Sequence, residues 1–376
     1  MGVKKLPVTA CTAQYGSPTG HHRTYSYSDY WDRTDDIKIS RRTTRMVEGT
    51  RIGAYRIVKL LGSGGMSNVW LAEHTMLDRH AAIKVLRPEL SSEPEGVAQF
   101  FNEARVTAAV ANPGVVQIFD FGFHIDGSAY IVMERLAGET IDRRLARFGA
   151  FAIGDALRVV RQAATALAAV HAHGIVHRDL KPDNIFLVPD PEIAGGERAK
   201  ILDFGIAIRI GDPMAAPAAG ILGTPCFMSP EQCRGAKHVD QRSDIYSLGC
   251  VLFTLLTGRI PFEGAGSAVV MAMHLREPTP APSRHAIGIP AAIDHLVLRC
   301  MAKDPAQRYT ASELAGAIDA LLQAPELAAT LGRTRARSSG EPSPDMMPTL
   351  PSMPQDVMAT MPPRRSVVVT PFAALA

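Results

Sequence analysis

Four short stretches of this chain hold residue types that do chemistry when brought together. The first is Leu61-Gly62-Ser63-Gly64-Gly65-Met66-Ser67-Asn68-Val69, set between the strand-like runs Tyr55 to Leu61 and Asn68 to Glu73. Gly62, Gly64 and Gly65 let a backbone approach a polyphosphate and offer it N–H groups. Taken alone, such a hairpin is equally a plain tight turn, and the spacing G-x-x-x-x-G-K-S/T is absent. The second is Ala81-Ala82-Ile83-Lys84, an apolar strand carrying one lysine. Read alone, Lys84 is as easily a strand-end charge. Buried without a partner it would be costly. Glu103, on the next helical stretch, is the natural partner, and the pair would hold Lys84 against α- and β-phosphates. The third is His177-Arg178-Asp179-Leu180-Lys181-Pro182-Asp183-Asn184, and the fourth is Asp203-Phe204-Gly205 after the β-like run Ala199 to Leu202. Asp179 can accept or orient the proton of an attacking hydroxyl, and Asn184 can offer its amide oxygen to Mg²⁺. Lys181 can neutralise a phosphoryl group in transit. Asp203 would bridge Mg²⁺ to the phosphates. The four together, in this order, point to phosphoryl transfer.

The surrounding pattern says what must position them. Ala81 to Leu86, Val115 to Phe121 and Ala129 to Glu134 read as further strands. Gly96 to Val110 has helical spacing, with Phe100, Ala104 and Thr107 on one side and Glu103 beside them. After Gly138 the chain turns largely helical. Asp155 is a candidate N-cap for a helix reaching about His173. Ser243 to Gly258, Ala291 to Ala302 and Ala311 to Leu322 are further helices. The reading is α+β, with a small β-rich lobe at 49–137, a larger α-helical lobe at 138–323 and a cleft between them. Composition predicts a disordered leader over 1–48 and a disordered Pro/Met-rich tail over 324–376. A start at Met46 would leave the two lobes whole.

With these motifs in place, the chain resembles the bacterial eukaryotic-like (Hanks-type) serine/threonine protein kinases. Their signature set is the glycine loop, A-x-K, H-R-D-x-x-x-x-N and D-F-G. The resemblance runs from Tyr55 to Leu322 and implies a bilobal protein-kinase fold with ATP in the cleft. It implies Mg²⁺, with Mn²⁺ able to replace it, and transfer of the γ-phosphoryl group to protein hydroxyls. It places the loop residues Leu61 to Val69 on the nucleotide, Val69 and Ala82 above the adenine and Phe186 below it. Met133 corresponds to the gatekeeper, and Glu134 to Leu136 to the hinge. Ser229-Pro230-Glu231 stands where the family has A-P-E, with Glu231 pairing Arg308, and Asp244 would anchor the catalytic-loop backbone. Lys181 and the Gly223-Thr224-Pro225 triplet match the Ser/Thr form, in which Thr224 bonds Asp179 and Lys181. A catalytically dead binding module would have lost Lys84, Asp179, Asn184 or Asp203, and none is lost. A small-molecule phosphotransferase of related fold would lack the Ser-Pro-Glu segment, the Thr224 context and the Asp244 helix.

Some residues depart from the family pattern. Ser67 replaces the third loop glycine, Ser229 stands for alanine, and Pro189 to Arg198 makes a longer turn. From Asp203 to Gly223 there is no Ser, Thr or Tyr. Many relatives are switched on by phosphorylation there, the new charge pairing with the arginine before the catalytic aspartate. Arg178 is present, so activity is expected without phosphorylation in that stretch, with Asp212 as a weak permanent charge. The alternative is ordering by a second copy or an activating partner.

Bulk properties bound the rest. The chain has 376 residues, 46% hydrophobic and 20% charged, with a formal charge of +3. That size allows two lobes with sizeable cores, and the balance implies no strong pull toward nucleic acid or a membrane surface. Cys11, Cys226, Cys233, Cys250 and Cys300 are scattered, which reads as reduced thiols in the cytoplasm. No stretch is apolar enough to read as a membrane span.

Overall fold

A computed structural model of the chain describes residues 46–204, 208–209, 225–235 and 239–325. The expectations for the leader before Met46, for Gly205, Asp212 and Thr224, and for the tail beyond Pro325 fall outside that set.

The small lobe is built on a six-stranded antiparallel sheet with strand order β1-β2-β3-β4-β6-β5. The strands are β1 (Arg51–Ile52), β2 (Tyr55–Ser63), β3 (Ser67–His74), β4 (His80–Leu86), β5 (Ile118–Phe123) and β6 (Ala129–Glu134). A single turn, α1 (Pro88–Ser91), leads into α2 (Pro94–Ala108). The central strand β4 is covered on both faces, because its residues alternate between two apolar clusters. Ala81, Ile83 and Val85 pack with Ile52, Tyr55, Ile57, Ala72 and Val132. Leu86 packs with Val97, Phe100, Phe101 and Ala104 of α2 and with Ile131. Burying each such phenylalanine contributes on the order of 2–3 kcal/mol. Helix α2 starts two residues before the expected Gly96. Pro94 supplies a φ suited to the first turn and lacks only an N–H that the helix cannot use.

The large lobe contains α3 (Ile141–Phe148), α4 (Ile153–Ala172), α5 (Pro230–Cys233), α6 (Arg242–Thr257), α7 (Ser267–Arg276), α8 (Ala291–Cys300) and α9 (Ala311–Gln323). Short strands β7 (Glu139–Thr140), β9 (Ile185–Pro189) and β10 (Glu197–Ile201) form one sheet, and β8 (Ile175–Val176) pairs with β11 (Ile208–Arg209). Helix α6 is buried from Ser243 to Leu256, so it has no solvent face and its apolar run is nearly continuous. Leu157, Val160, Ala164 and Leu167 of α4 share its core with Leu248, Val251 and Leu252.

Sequence and structure differ at some boundaries. Asp155 lies in the first turn of α4, and Ala152 takes the N-cap position. Partly buried Ile153 packs on the core and draws the helix start back, leaving Asp155 to favour the helix dipole. Val115 forms an isolated parallel bridge to Ile201, and strand pairing begins only at Ile118. Helices α3 and α7 bury one and two residues respectively, too few to delimit them by periodicity. The longer turn expected over Pro189 to Arg198 is the β9–β10 hairpin, with Pro189 opposite Glu197.

The lobes join through Gly138, where φ is +145° and a Cβ would lie 1.9 Å from the Leu187 carbonyl oxygen. Both the backbone angle and the approach require glycine. Gly138→Ala should cost about 3 kcal/mol and lower Tm by roughly 5–10 °C, measured by calorimetry.

Candidate active site

Sheet register places the nucleotide-side candidates together. Residues directly opposite in an antiparallel pair share a face. Val69 is opposite Lys84, Leu71 and Met133 are opposite Ala82, and Ile131 is opposite Lys84. Val69, Ala82, Lys84 and Met133 therefore lie on one face. In the loop above, Gly64 N–H donates to Ser67 O at 2.8 Å, and the Ser63 hydroxyl donates to Asn68 Oδ1 at 2.7 Å. A Cβ on Gly62 or Gly65 would meet no protein atom within 4 Å. Those glycines leave open room for a phosphate chain, while Leu61 and Met66 are exposed and Ser67 is buried.

Lys84 Nζ donates to Glu103 Oε1 and to Asp203 Oδ1, each at 2.7 Å. The second partner was not part of the sequence expectation, which paired Lys84 with Glu103 alone. Burial works against the ammonium charge, but Asp203 and Glu103 outweigh it and raise the Lys84 pKa. Burial, against the pull of Lys84 and aided by the charge of Asp203, pushes Glu103 up to about 7. Burial opposes the Asp203 charge too, yet Lys84 holds that carboxyl below its usual range. The Asp203 side chain stays 49% exposed, with an edge open to the cleft.

The catalytic-loop candidates form a second cluster tied to the first. Lys181 Nζ donates to Asp179 Oδ2 at 2.8 Å. Asn184 Nδ2 donates to the Asp179 carbonyl at 2.8 Å and to Oδ2 at 3.2 Å, which leaves its Oδ1 with no hydrogen bond among the described residues. His177 Nδ1 accepts the Asp179 N–H at 3.2 Å, so the ring proton sits on Nε2 and donates to Leu202 O at 2.9 Å. Leu202 N–H returns to Asn184 O at 2.9 Å. Asp179 and Asp203 are thus held by one short network. Arg178 and Asp203 both have positive φ, 69° and 51°, conformations that persist only when the surroundings enforce them.

Asp244, on buried α6, supplies that enforcement. Its carboxylate accepts from His177 N and Arg178 N at 2.9 Å each and from His171 Nε2 at 2.8 Å. Burial opposes the charge, but these bonds hold its pKa below the usual value. Glu231 and Arg308 form a buried bidentate pair at 2.7 and 2.9 Å. At the hinge, Glu134 Oε1 takes Lys200 Nζ at 2.7 Å and Gln117 N at 2.8 Å, so its side chain points to the protein's own groups. Among the described residues neither backbone group of Leu136 is hydrogen-bonded. Phe186, half-buried on β9, lies opposite Lys200 and Thr140. His171, Gln117 and Lys200 were not anticipated, since no local spacing links them to partners 73, 17 and 66 residues away.

Among the described residues the cleft thus provides two lysines, Lys84 and Lys181, the carboxylate edge of Asp203, the side-chain oxygen of Asn184, and a glycine loop with open room. Among the described residues no cluster of three or more acidic, His or Cys side chains could hold a metal alone.

These features define a two-lobed fold of the protein kinase kind, and comparison with known proteins agrees. The protein kinase domain matches residues 55–317, so the chain belongs to that family. Serine/threonine-protein kinase PrkC of Bacillus subtilis is 39% identical over 269 residues, covering 71% of this chain and 40% of PrkC. Serine/threonine-protein kinase Pkn1 of Myxococcus xanthus is 38% identical over 309 residues, covering 82% of this chain and 43% of Pkn1. The chain therefore spans less than half the length of these two relatives. The crystal structure of the Mycobacterium tuberculosis PknI kinase domain is similar with a TM-score of 0.57 at 27% identity, covering 73% of this chain and 99% of that one. Family membership implies ATP and a divalent metal ion as cofactors. No helix among the described residues is long and apolar enough to cross a membrane.

The Glu231–Arg308 pair sets a pH dependence. Burial would raise the Glu231 pKa, but Arg308 and Ser243 hold it below the usual 4.5. A carboxyl depressed on folding contributes stability present above its unfolded pKa and lost as pH falls through the folded value. Glu231→Gln should cost about 3 kcal/mol near neutral pH, because Arg308 is left buried without its counter-charge. The Tm gap to wild type should narrow as pH drops below 4.5.

Proposed function

We propose that this chain is a serine/threonine protein kinase that transfers the γ-phosphoryl group of ATP to Ser and Thr hydroxyls of proteins, itself included, in bacterial intracellular signalling. The supporting observation is the continuous network that binds Asp179, with Lys181 and Asn184 on its carboxylate, to Asp203, Lys84 and Glu103. Bound ATP with Mg²⁺, or Mn²⁺ in its place, supplies the phosphoryl group and a bridging charge.

The chain's own groups do the rest. The loop from Leu61 to Val69 holds the phosphates by backbone N–H groups, and Lys84, kept in place by Glu103, holds them by charge. Val69, Ala82, Met133 and Phe186 enclose the adenine, and the backbone of Glu134 to Leu136 reads its edge. Asn184 Oδ1 and the open edge of Asp203 would hold the ion. Asp179 orients the incoming hydroxyl and takes its proton, while Lys181 offsets developing negative charge. Thr224 is assigned to the bond with Asp179 and Lys181 that marks the Ser/Thr form. Four unpaired cysteines among the described residues suit a reducing, cytoplasmic setting.

The stretch from Asp203 to Gly223 offers no hydroxyl to phosphorylate. Among the described residues Arg178 Nε is buried without a hydrogen-bond partner, and Nη2 reaches only the Val239 carbonyl at 3.3 Å. Burial lowers its pKa, with Asp244 alone opposing. In this reading Arg178 acts without a phosphate partner from that stretch. The alternative is that a second copy or an activating protein orders it.

Two measurements test the proposal. Labelled ATP with Mg²⁺ should give phosphoserine and phosphothreonine with wild type, and Asp179→Asn should lose at least about a hundredfold in rate. Equal labelling by both proteins would refute the assignment of Asp179. Phosphatase treatment should leave activity within about twofold, since no charge-assisted contact to Arg178 is there to be removed. A large drop, or strong activation by phosphorylation of Thr224, would contradict that.

A further inference from the structure

At the hinge the two lobes share one carboxylate oxygen. Glu134 ends β6, the last strand of the small lobe. Its Oε1 accepts from Gln117 N at 2.8 Å, and its own N–H donates to Gln117 O at 2.9 Å. The same Oε1 takes Lys200 Nζ, on β10 of the large lobe, at 2.7 Å. The stretch leading to Gln117 also runs beside β10. Val116 N donates to Ile201 O at 3.1 Å, and Ile201 N donates to Gly114 O at 2.8 Å. Glu134, the 114–117 stretch and β10 are thus bound as one unit.

Gln117 N needs only an acceptor, which any oxygen at that place would give. Lys200 is more demanding. Its side chain is 13% exposed and that of Glu134 21%, and an ammonium so covered is costly without a counter-charge. Among the described residues Glu134 is its one ion-pair partner. A covered ion pair returns little stability against the cost of its burial, but it fixes which atoms face each other. What this one fixes follows from the sheet register. Lys200 is directly opposite Phe186 in the β9–β10 pair, so both side chains stand on one face. Phe186 is the residue assigned above to the underside of the adenine, and Glu134 opens the backbone segment assigned to its edge. The pair therefore ties the reader of the base edge to the sheet that carries the base floor.

We propose that Glu134 and Lys200 are positioning residues for the purine base, their ion pair setting the spacing between the hinge backbone and Phe186. Lys84 and the glycine loop are left to hold the phosphates. This rests on the protein kinase reading and on its placement of adenine. The test uses the full chain with Mg²⁺-ATP and dephosphorylated casein. Lys200→Met keeps the apolar stem and removes the charge. Glu134→Gln keeps an acceptor for Gln117 N. Lys200→Arg keeps the charge. Adenosine and inorganic tripolyphosphate, titrated by calorimetry, report the two ends of the nucleotide separately and need no turnover.

The KM for ATP should rise roughly three- to tenfold in Lys200→Met and in Glu134→Gln, the value of one hydrogen bond, with kcat and the casein KM within about twofold. Adenosine affinity should fall by the same factor, and tripolyphosphate affinity should stay within about twofold. The double variant should be no worse than the weaker single one, because the two groups act as a unit. Lys200→Arg should stay within about twofold of wild type. If Lys200→Met does not fold, Glu134→Gln and Lys200→Arg decide alone. An unmoved or lowered ATP KM in the charge-removing variants overturns the proposal. So does equal weakening of adenosine and tripolyphosphate, which would mark a general loosening of the cleft. Wild type that transfers no phosphate and binds no adenosine would instead remove the kinase reading beneath it.

Discussion

The carboxylate of Asp244, without solvent exposure inside α6, accepts two successive backbone amides from the catalytic loop and the imidazole of His171. Two consecutive N–H groups can point at one carboxylate only if the chain turns sharply. Arg178 does so at φ 69°, in a region an arginine rarely adopts. The strain is small beside the charge-assisted bonds that enforce it, each about 1.5–3 kcal/mol. Asp179, the next residue, is aimed by that turn. His177 extends the same control to Leu202 and so to Asp203. A helix that is otherwise core thus sets the geometry of two carboxylates in the cleft.

The cleft itself is organised by a shortage of positive charge. Lys84 serves two carboxylates at the same distance of 2.7 Å. Neither Glu103 nor Asp203 is fully compensated, and they respond oppositely, Glu103 upward and Asp203 downward. Asp203 keeps an open edge, so additional positive charge has a place to act. This fits the use of a divalent ion by the protein kinase family to which the chain belongs. The sheet contributes by register alone, since pairing Val69 with Lys84 and Met133 with Ala82 puts charge and apolar surface on one face.

The large lobe repeats one device away from the chemistry. Arg308 with Glu231, Ser247 with Phe227 and Tyr246 with His274 are polar contacts set in an apolar core. Ser247 joins the 225–233 stretch to α6, Tyr246 joins α6 to α7, and Arg308 bridges Glu231 to the Arg242 carbonyl at the start of α6. Apolar packing gives this lobe most of its stability but is non-directional. Hydrogen bonds fix which atom faces which, and the stretch beside Asp179 needs that precision.

Much of this was legible in the sequence. The order of the glycine loop, Lys84, Asp179, Asn184 and Asp203, and the change from period-two to helical patterning, determined fold class and chemistry, because both are carried by local spacing. Lys84 with Glu103 was expected from the cost of an unpaired lysine in an apolar strand, and Glu231 with Arg308 and Asp244 with the catalytic loop through family likeness; the structure brings each to hydrogen-bond distance. The start of α4 was misplaced at Asp155 because the packing of Ile153, a tertiary contact, outweighed a local capping preference. Tertiary structure alone decided that Lys84 also binds Asp203, that His171 supports Asp244, and that Lys200 binds Glu134. Those partners lie far apart in the chain, and only the closing of two lobes and the stacking of helices brings such groups within reach.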